Sequence, residues 1–162
     1  MGITHMGDKL EELLMEELGA VKGKRKICDV VLYDETFEIN IESKDKTPNQ
    51  TRPWKYNILV IRHENKFYVI PAHQVVIDCL PKSGQHALDP VACYKPSFTK
   101  EWKEKYICEF KDLKNTIIKY YKEDYSDKNK PIRSFIEKRY NEWMKQIEEN
   151  KKFLQSLQHI GD

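Results

Sequence analysis

The sequence predicts a single α/β (α+β) domain, a sheet flanked by helices with a helical C-terminal part, and three observations carry that reading. Leu10, Leu13, Leu14 and Leu18 recur at the spacing of one buried helix face. Two pairs of apolar runs, 27–33 with 37–44 and 56–62 with 66–71, flank short turns as β-hairpins do. Beyond residue 100 the apolar positions return to a helical period.

The first helix is expected over 8–18, with Asp8 as its N-cap and Gly19 ending it in a left-handed turn. Glu11, Glu12, Glu16 and Glu17 fill its other positions, and a basic loop, Lys22-Gly23-Lys24-Arg25-Lys26, follows. Strands 27–33 and 37–44 flank the turn Asp34-Glu35-Thr36. The second alternates: Phe37, Ile39, Ile41 and Ser43 share one face, and Glu38, Asn40, Glu42 and Lys44 the other. A polar loop with two prolines spans 45–53, and the second strand pair turns at His63-Glu64-Asn65. Residues 72–80 start a short helix or an extended segment. Pro81, Gly84, Pro90 and Pro96 mark 81–99 as an irregular but ordered loop, because Val91, Cys93, Tyr94 and Phe98 need burial.

Residues 100–124 read as helix, 125–131 as a break, and Pro131 as the opening of a long helix to about residue 158. Its stripe of Ile136, Tyr140, Trp143, Ile147, Leu154 and Leu157 is heptad-like, with Asn150 at the skipped position. Such a stripe either packs on its own domain or forms a dimer contact. The whole chain, 1–162, is thus one domain, with a core over 7–80 and an irregular, helical part over 81–162 for recognition or dimerisation.

Composition narrows the class. Hydrophobic residues are 40% of the 162, enough for a core and too many for a disordered chain. No apolar run approaches the ~20 residues that span a bilayer. Met1–Lys9 has no signal-peptide apolar region, so a cytoplasmic protein without a membrane partner is expected. Met1–His5 read as a cloning remnant before a start at Met6. A net charge of +2 neither demands nor excludes nucleic acid, since a basic cleft can hide in a near-neutral total. Cys28, Cys79, Cys93 and Cys108 form no CxxC pair and are expected as buried free thiols. A zinc site from His73, Cys79, His86 and Cys93 would match no common ligand spacing.

The chemistry sits on the first strand pair. Phosphodiester hydrolysis needs a divalent cation and an activated water. Hard cations take oxygen ligands, so carboxylates must converge, and a nearby lysine can orient the water and offset developing charge. Glu42 and Lys44 are two apart on a strand and share a face. If the hairpin turns symmetrically about 35 and 36, Asp29 falls opposite Glu42, with Cβ atoms about 5 Å apart. Glu-x-Lys recurs at Glu64, Glu101 and Glu149, but only Glu42-Ser43-Lys44 ends an alternating strand with an aspartate across the hairpin. The plainer alternative is that Glu38, Glu42 and Lys44 form a solvated strand face. That leaves Asp29 unexplained, because an aspartate within ICDVVLY costs burial energy unless it is partnered.

Asp29, twelve residues, then Glu42-Ser43-Lys44 on an apolar strand resembles the PD-(D/E)XK nuclease superfamily, which includes restriction endonucleases and archaeal Holliday-junction resolvases. The resemblance covers about 7–78. It departs where Cys28 replaces the usual proline, and where a second hairpin follows the motif strand in place of a helix. It implies a restriction endonuclease-like core with a central mixed β-sheet. It implies an Mg²⁺-dependent DNA endonuclease, with Mn²⁺ able to substitute, acting as a homodimer on duplex DNA in the manner of a type II restriction enzyme. A junction-resolving or repair nuclease would share the same site, and a non-catalytic interaction module is a further alternative. Asp29 and Glu42 are the implied metal ligands and Lys44 the catalytic lysine. A first-helix glutamate joins them, Glu11 fitting best and Glu12 next. Gln74 and His73, just after a strong strand, are additional candidates, although each is also explained as a satisfied structural side chain.

Candidate DNA contacts are the basic loop, with Lys24, Arg25 and Lys26 suited to backbone phosphates. Arg52, Trp54 and Lys55 lie beside the motif strand, where they either clamp DNA or form a surface loop anchored by Trp54. Gln85 and His86, in Ser83-Gly84-Gln85-His86, suggest a recognition loop or ordinary turn chemistry.

Overall fold

The structure, a computed structural model, describes residues 9–24, 27–45, 50–83, 94 and 96–160. Among these, one six-stranded sheet carries β1 (Val21–Lys22), β2 (Val30–Asp34), β3 (Phe37–Lys44), β4 (Ile58–His63), β5 (Lys66–Pro71) and β6 (Ile107–Cys108). The helices are α1 (Leu10–Leu18), α2 (Ala72–Ser83), α3 (Lys100–Tyr106), α4 (Leu113–Asp124) and α5 (Lys130–Ile160). The strands lie side by side in chain order, all antiparallel except β3 with β4. The sheet is therefore mixed and the class α/β.

The hairpins form as the sequence periods dictate. Asp34 faces Phe37 and Val30 faces Ile41, so the register is that of a turn centred on residues 35 and 36. In the second hairpin Glu64 and Asn65 both take positive φ, 52° and 63°, as tight two-residue turns require. β3 buries Ile39 and Ile41 and leaves Glu38 exposed, the predicted alternation. α1 buries all four predicted leucines and ends at Gly19, whose φ of 69° is left-handed. Its N-cap is Lys9; Asp8 lies outside the described residues.

Helices cover both faces. On one, the leucines of α1 with Leu113 and Ile117 of α4 pack on Val30, Leu32, Ile39, Ile41, Ile58, Val60 and Val69. On the other, α2, α3 and the first half of α5 pack on Leu59, Ile61, Tyr68 and Ile70, with Trp54 and Tyr94 filling the margin. Fully burying one such aliphatic side chain is worth about 1.5–3 kcal/mol, so the two clusters supply most of the driving force for this three-layer arrangement.

Three expectations change. The stretch 100–124 is not one helix: α3 ends at Tyr106, Ile107 and Cys108 pair with Tyr68 and Phe67, and α4 begins at Leu113. A two-residue edge strand has no local signature; the open edge of β5 recruits it. Residues 72–80 resolve as helix, and that helix continues through Pro81 to Ser83, so the expected irregular loop starts later. The break at 125–131 is shorter than expected, since α5 begins at Lys130 with Pro131 in its first turn, where a missing N–H costs nothing. Cys28 and Cys108 are buried free thiols, as expected, and Cys79 is buried as well. Cys93, Gln85 and His86 fall outside the described residues, as do Arg25 and Lys26.

The heptad-like stripe of α5 divides. Ile136 and Trp143 are buried and Tyr140 and Ile147 pack beside them, whereas Phe153, Leu154 and Leu157 are exposed. No helix among the described residues is long and apolar enough to cross a membrane.

Candidate functional site

Asp29 stands where the β2–β3 ladder ends. Its amide donates to the Ile41 carbonyl (3.1 Å), one residue short of the position the register would give, so the chain leaves the strand there. β2 does not extend to cover Ser43, and the Ser43 amide would lack a ladder partner. The Asp29 carboxylate replaces it: Oδ2 accepts from the Ser43 amide (2.8 Å) and from the Ser43 hydroxyl (3.1 Å). The aspartate is thus fixed beside Glu42 but through the residue that follows it, not by direct cross-strand pairing. Among the described residues Oδ1 takes no hydrogen bond.

Glu42 and Lys44 share the predicted face of β3, with Lys44 Nζ 3.6 Å from Glu42 Oε1. Burial and the neighbouring Asp29 charge push the Glu42 carboxyl above its ordinary pKa, while Lys44 and Lys55 pull it back. Two carboxylates in such a setting favour an added cation, because it relieves both the desolvation and the repulsion.

Glu11, Asp29 and Glu42 line one cavity of about 550 Å³, together with Gly23, Cys28 and Lys55. α1 supplies Glu11 from its first turn, where the helix dipole favours an anion. Glu12 is exposed and does not line this cavity, so Glu11 is the glutamate the fold brings to the site. Gly23 closes on the Cys28 carbonyl so tightly that no Cβ fits there. Burial pushes the Cys28 thiol up to about 11, so it is a protonated wall group at neutral pH and not a nucleophile.

The donor set is oxygen-rich and acidic, which suits a hard cation such as Mg²⁺. Among the described residues no group of three or more His, Cys, Asp or Glu side chains stands close enough to hold a metal ion by itself. A cation here would be shared by one or two carboxylates and completed by water and substrate oxygens, the usual habit of Mg²⁺.

Other expected site residues are placed elsewhere. His73 is buried on α2, where its Nδ1 lies 3.0 Å from Asp124 Oδ1; an ionised carboxylate only accepts, so Nδ1 carries the proton. Gln74 donates to Asp78 (3.0 Å) one turn along the same helix. Neither lines the carboxylate cavity. Trp54 is 4% exposed, edge-on to Tyr94 and beneath Arg139, so it anchors its loop. Arg52 is half-buried at the start of the 3-10 turn Pro53–Lys55, and Lys24 is exposed on the rim of an adjoining cavity.

Lys55 is the residue whose part was underread. It was expected only as a DNA contact, yet it lines the carboxylate cavity and acts on Glu42 through its charge. Its Nζ also lies 5.0 Å over the Trp143 ring of α5. The 3-10 turn Pro53–Lys55 carries it back across β3, and the one local hint is Pro53, which favours such a turn. Asn57 was also missed. Its side-chain oxygen accepts from the Asn40 amide (2.8 Å) and its own amide donates to the Asn40 carbonyl (2.8 Å), which fastens β4 to β3.

Compared with protein-family models, curated proteins and solved structures, the chain matches none.

Proposed function

We propose that the protein is a Mg²⁺-dependent DNA endonuclease built on a restriction endonuclease-like core of the PD-(D/E)XK type. The observation that carries this reading is the common cavity of Glu11, Asp29 and Glu42, with Lys44 against Glu42. Asp29 and Glu42 would hold the cation, Glu11 would assist from across the cavity, and Mn²⁺ would substitute for Mg²⁺. A bound divalent ion supplies a Lewis acid for the phosphate and an acidified water. Ser43 keeps Asp29 in place, so one of its oxygens faces no competing donor among the described residues. Lys44, held beside Glu42 at the margin of the cavity, would orient the attacking water and offset charge developing on the phosphate, and Lys22 and Lys55 add positive charge on the cavity lining itself.

Duplex DNA cut in the manner of a type II restriction enzyme is the favoured substrate, with a homodimer setting two sites on opposite strands. The exposed Phe153, Leu154 and Leu157 of α5 support a contact with a second copy. A junction-resolving or repair nuclease is the alternative, separated by comparing linear duplex with a four-way junction. Cleavage of the junction alone would remove the restriction reading.

The deciding experiment is plasmid cleavage with Mg²⁺ by the wild type, Glu42→Ala and Lys44→Ala. Discrete fragments from the wild type, lost in both variants, are expected. No cleavage of duplex or branched DNA with Mg²⁺ or Mn²⁺ would overturn the proposal. A non-catalytic binding module is the second reading, favoured by the lack of a three-ligand cluster among the described residues. Calorimetric titration showing no Mg²⁺ or Mn²⁺ binding, with DNA present, would select it.

A further inference from the structure

The carboxylate cavity does not stand alone on its face of the sheet. A second cavity, of about 480 Å³, opens between β3 and α5 and shares Lys55 with the first. A third, of about 300 Å³, shares Lys22, Ile27 and Cys28 with the first, and Glu38, Asn40 and Tyr140 with the second. The three adjoin as one groove along the polar face of β3 and past Val31 and Tyr33 of β2, with α5 as a wall at one end.

The two ends differ in chemistry. The first is acidic and suits a cation with a phosphate. The second is walled by the accessible rings of Tyr125 and Tyr140 over a floor of the buried Trp54 and Tyr56, with the amides of Asn40, Asn57 and Asn141 between them. Carboxylates Glu38 and Glu137 and the cations Lys55 and Arg133 border it. Rings offer a stacking surface for a planar heterocycle, and amides and carboxylates offer donors and acceptors to its edge. Tyr140 lines both the second and third cavities, so it forms the ridge between them.

Resting on the nuclease reading, we propose that this groove takes a single nucleic-acid strand, with an unpaired base lodged in the aromatic cavity next to the phosphate held at Asp29 and Glu42. In an intact duplex the base faces are stacked and the pairing edges occupied, so neither the rings nor the amides could engage them. Lys55, common to both cavities, lies where the phosphate joining the two positions would pass. A duplex then enters by opening one base beside the scissile phosphate, and a strand already unpaired there binds more tightly.

The test measures fluorescence anisotropy of three labelled oligonucleotides of one sequence in Ca²⁺: a single strand, a perfect duplex and a duplex with one unpaired base. The single strand and the unpaired-base duplex should bind about tenfold or more tighter than the perfect duplex, as expected when one base stacks on an aromatic ring. Tyr140→Ala should abolish that preference and Tyr140→Phe should retain it. Asn141→Ala, an exposed change that leaves the fold intact, should reduce it severalfold. Equal binding of all three DNAs, or a preference untouched by both Tyr140→Ala and Asn141→Ala, overturns the inference. Equal binding of the three DNAs together with duplex cleavage in Mg²⁺ that Glu42→Ala abolishes leaves the nuclease reading standing while this one falls. Failure of every DNA to bind removes both.

Discussion

Asp124 is fully buried at the end of α4, and its carboxylate joins three helices: Oδ2 accepts from Arg133 of α5 (2.7 Å) and Oδ1 from His73 of α2 (3.0 Å). Asp124→Ala removes both bonds. Breaking a buried ion pair by deleting one partner costs about 3–5 kcal/mol, because the other charge is left uncompensated. Here the low end applies. Arg133 keeps Glu137 at 3.6 Å and the Tyr125 ring at 4.8 Å. A loss of about 3 kcal/mol converts to a fall in Tm of roughly 6–12 °C for a chain of this size. Urea denaturation followed by circular dichroism gives the free energy, and a thermal melt gives the shift. Asp124→Asn retains an acceptor and should lose less. A change within about 1 kcal/mol for Asp124→Ala would refute the view that this carboxylate, with His73 as its fixed partner, clamps α5 to the sheet.

Further outcomes follow from the site and the helices. Glu42 has a raised pKa in the fold, so its stability contribution is fully present below its unfolded value of 4.5 and is lost as pH rises through the folded one. Without divalent cations Glu42→Gln should therefore raise Tm at pH 7 and leave it nearly unchanged at pH 4, and with Mg²⁺ it should end cleavage; an equal Tm shift at both pH values would contradict this. Gly23→Ala sets a Cβ against the Cys28 carbonyl and 2.9 Å from its Sγ, so the cavity wall must move. A stability loss of about 1–3 kcal/mol with weaker Mg²⁺ binding is expected from denaturation and calorimetry. Leu154→Lys with Leu157→Lys alters exposed positions only, and the monomer's stability should hold within about 0.5 kcal/mol. Sedimentation velocity should show those changes shifting a dimer to monomer; an unchanged profile removes α5 as the contact.

Legibility in the sequence followed the range of the forces involved. α1, both hairpins and the polar face of β3 were readable because period and turn chemistry are local, and Glu42 and Lys44 came with them. The placement of Asp29 was half readable. The register was right, but the missing ladder partner of Ser43, which turns the aspartate into a substitute for backbone, depends on where β2 stops. Lys55 and Tyr140 were not legible as one site, because a turn and a helix more than eighty residues apart must fold over the same strand to bring them together. His73 looked available because its partner Asp124 lies 51 residues away. Ile107 and Cys108 were hidden in helical composition until the edge of β5 claimed them.

The strand order runs in sequence, and that has a kinetic consequence. Every ladder from β1 to β5 joins neighbours along the chain, so loop closure there costs little and those pairings can form early. Glu11, Asp29, Glu42 and Lys44 all belong to this early part. Tyr140 reaches the aromatic end only when α5 docks, across a far longer loop and on a helix that is exposed from Glu148 to Gln158. The two ends of the groove therefore belong to different cooperative units. Hydrogen exchange should find the α5 amides opening at lower free energy than those of β3, and each such opening would release a strand from the groove while the acidic end stays assembled.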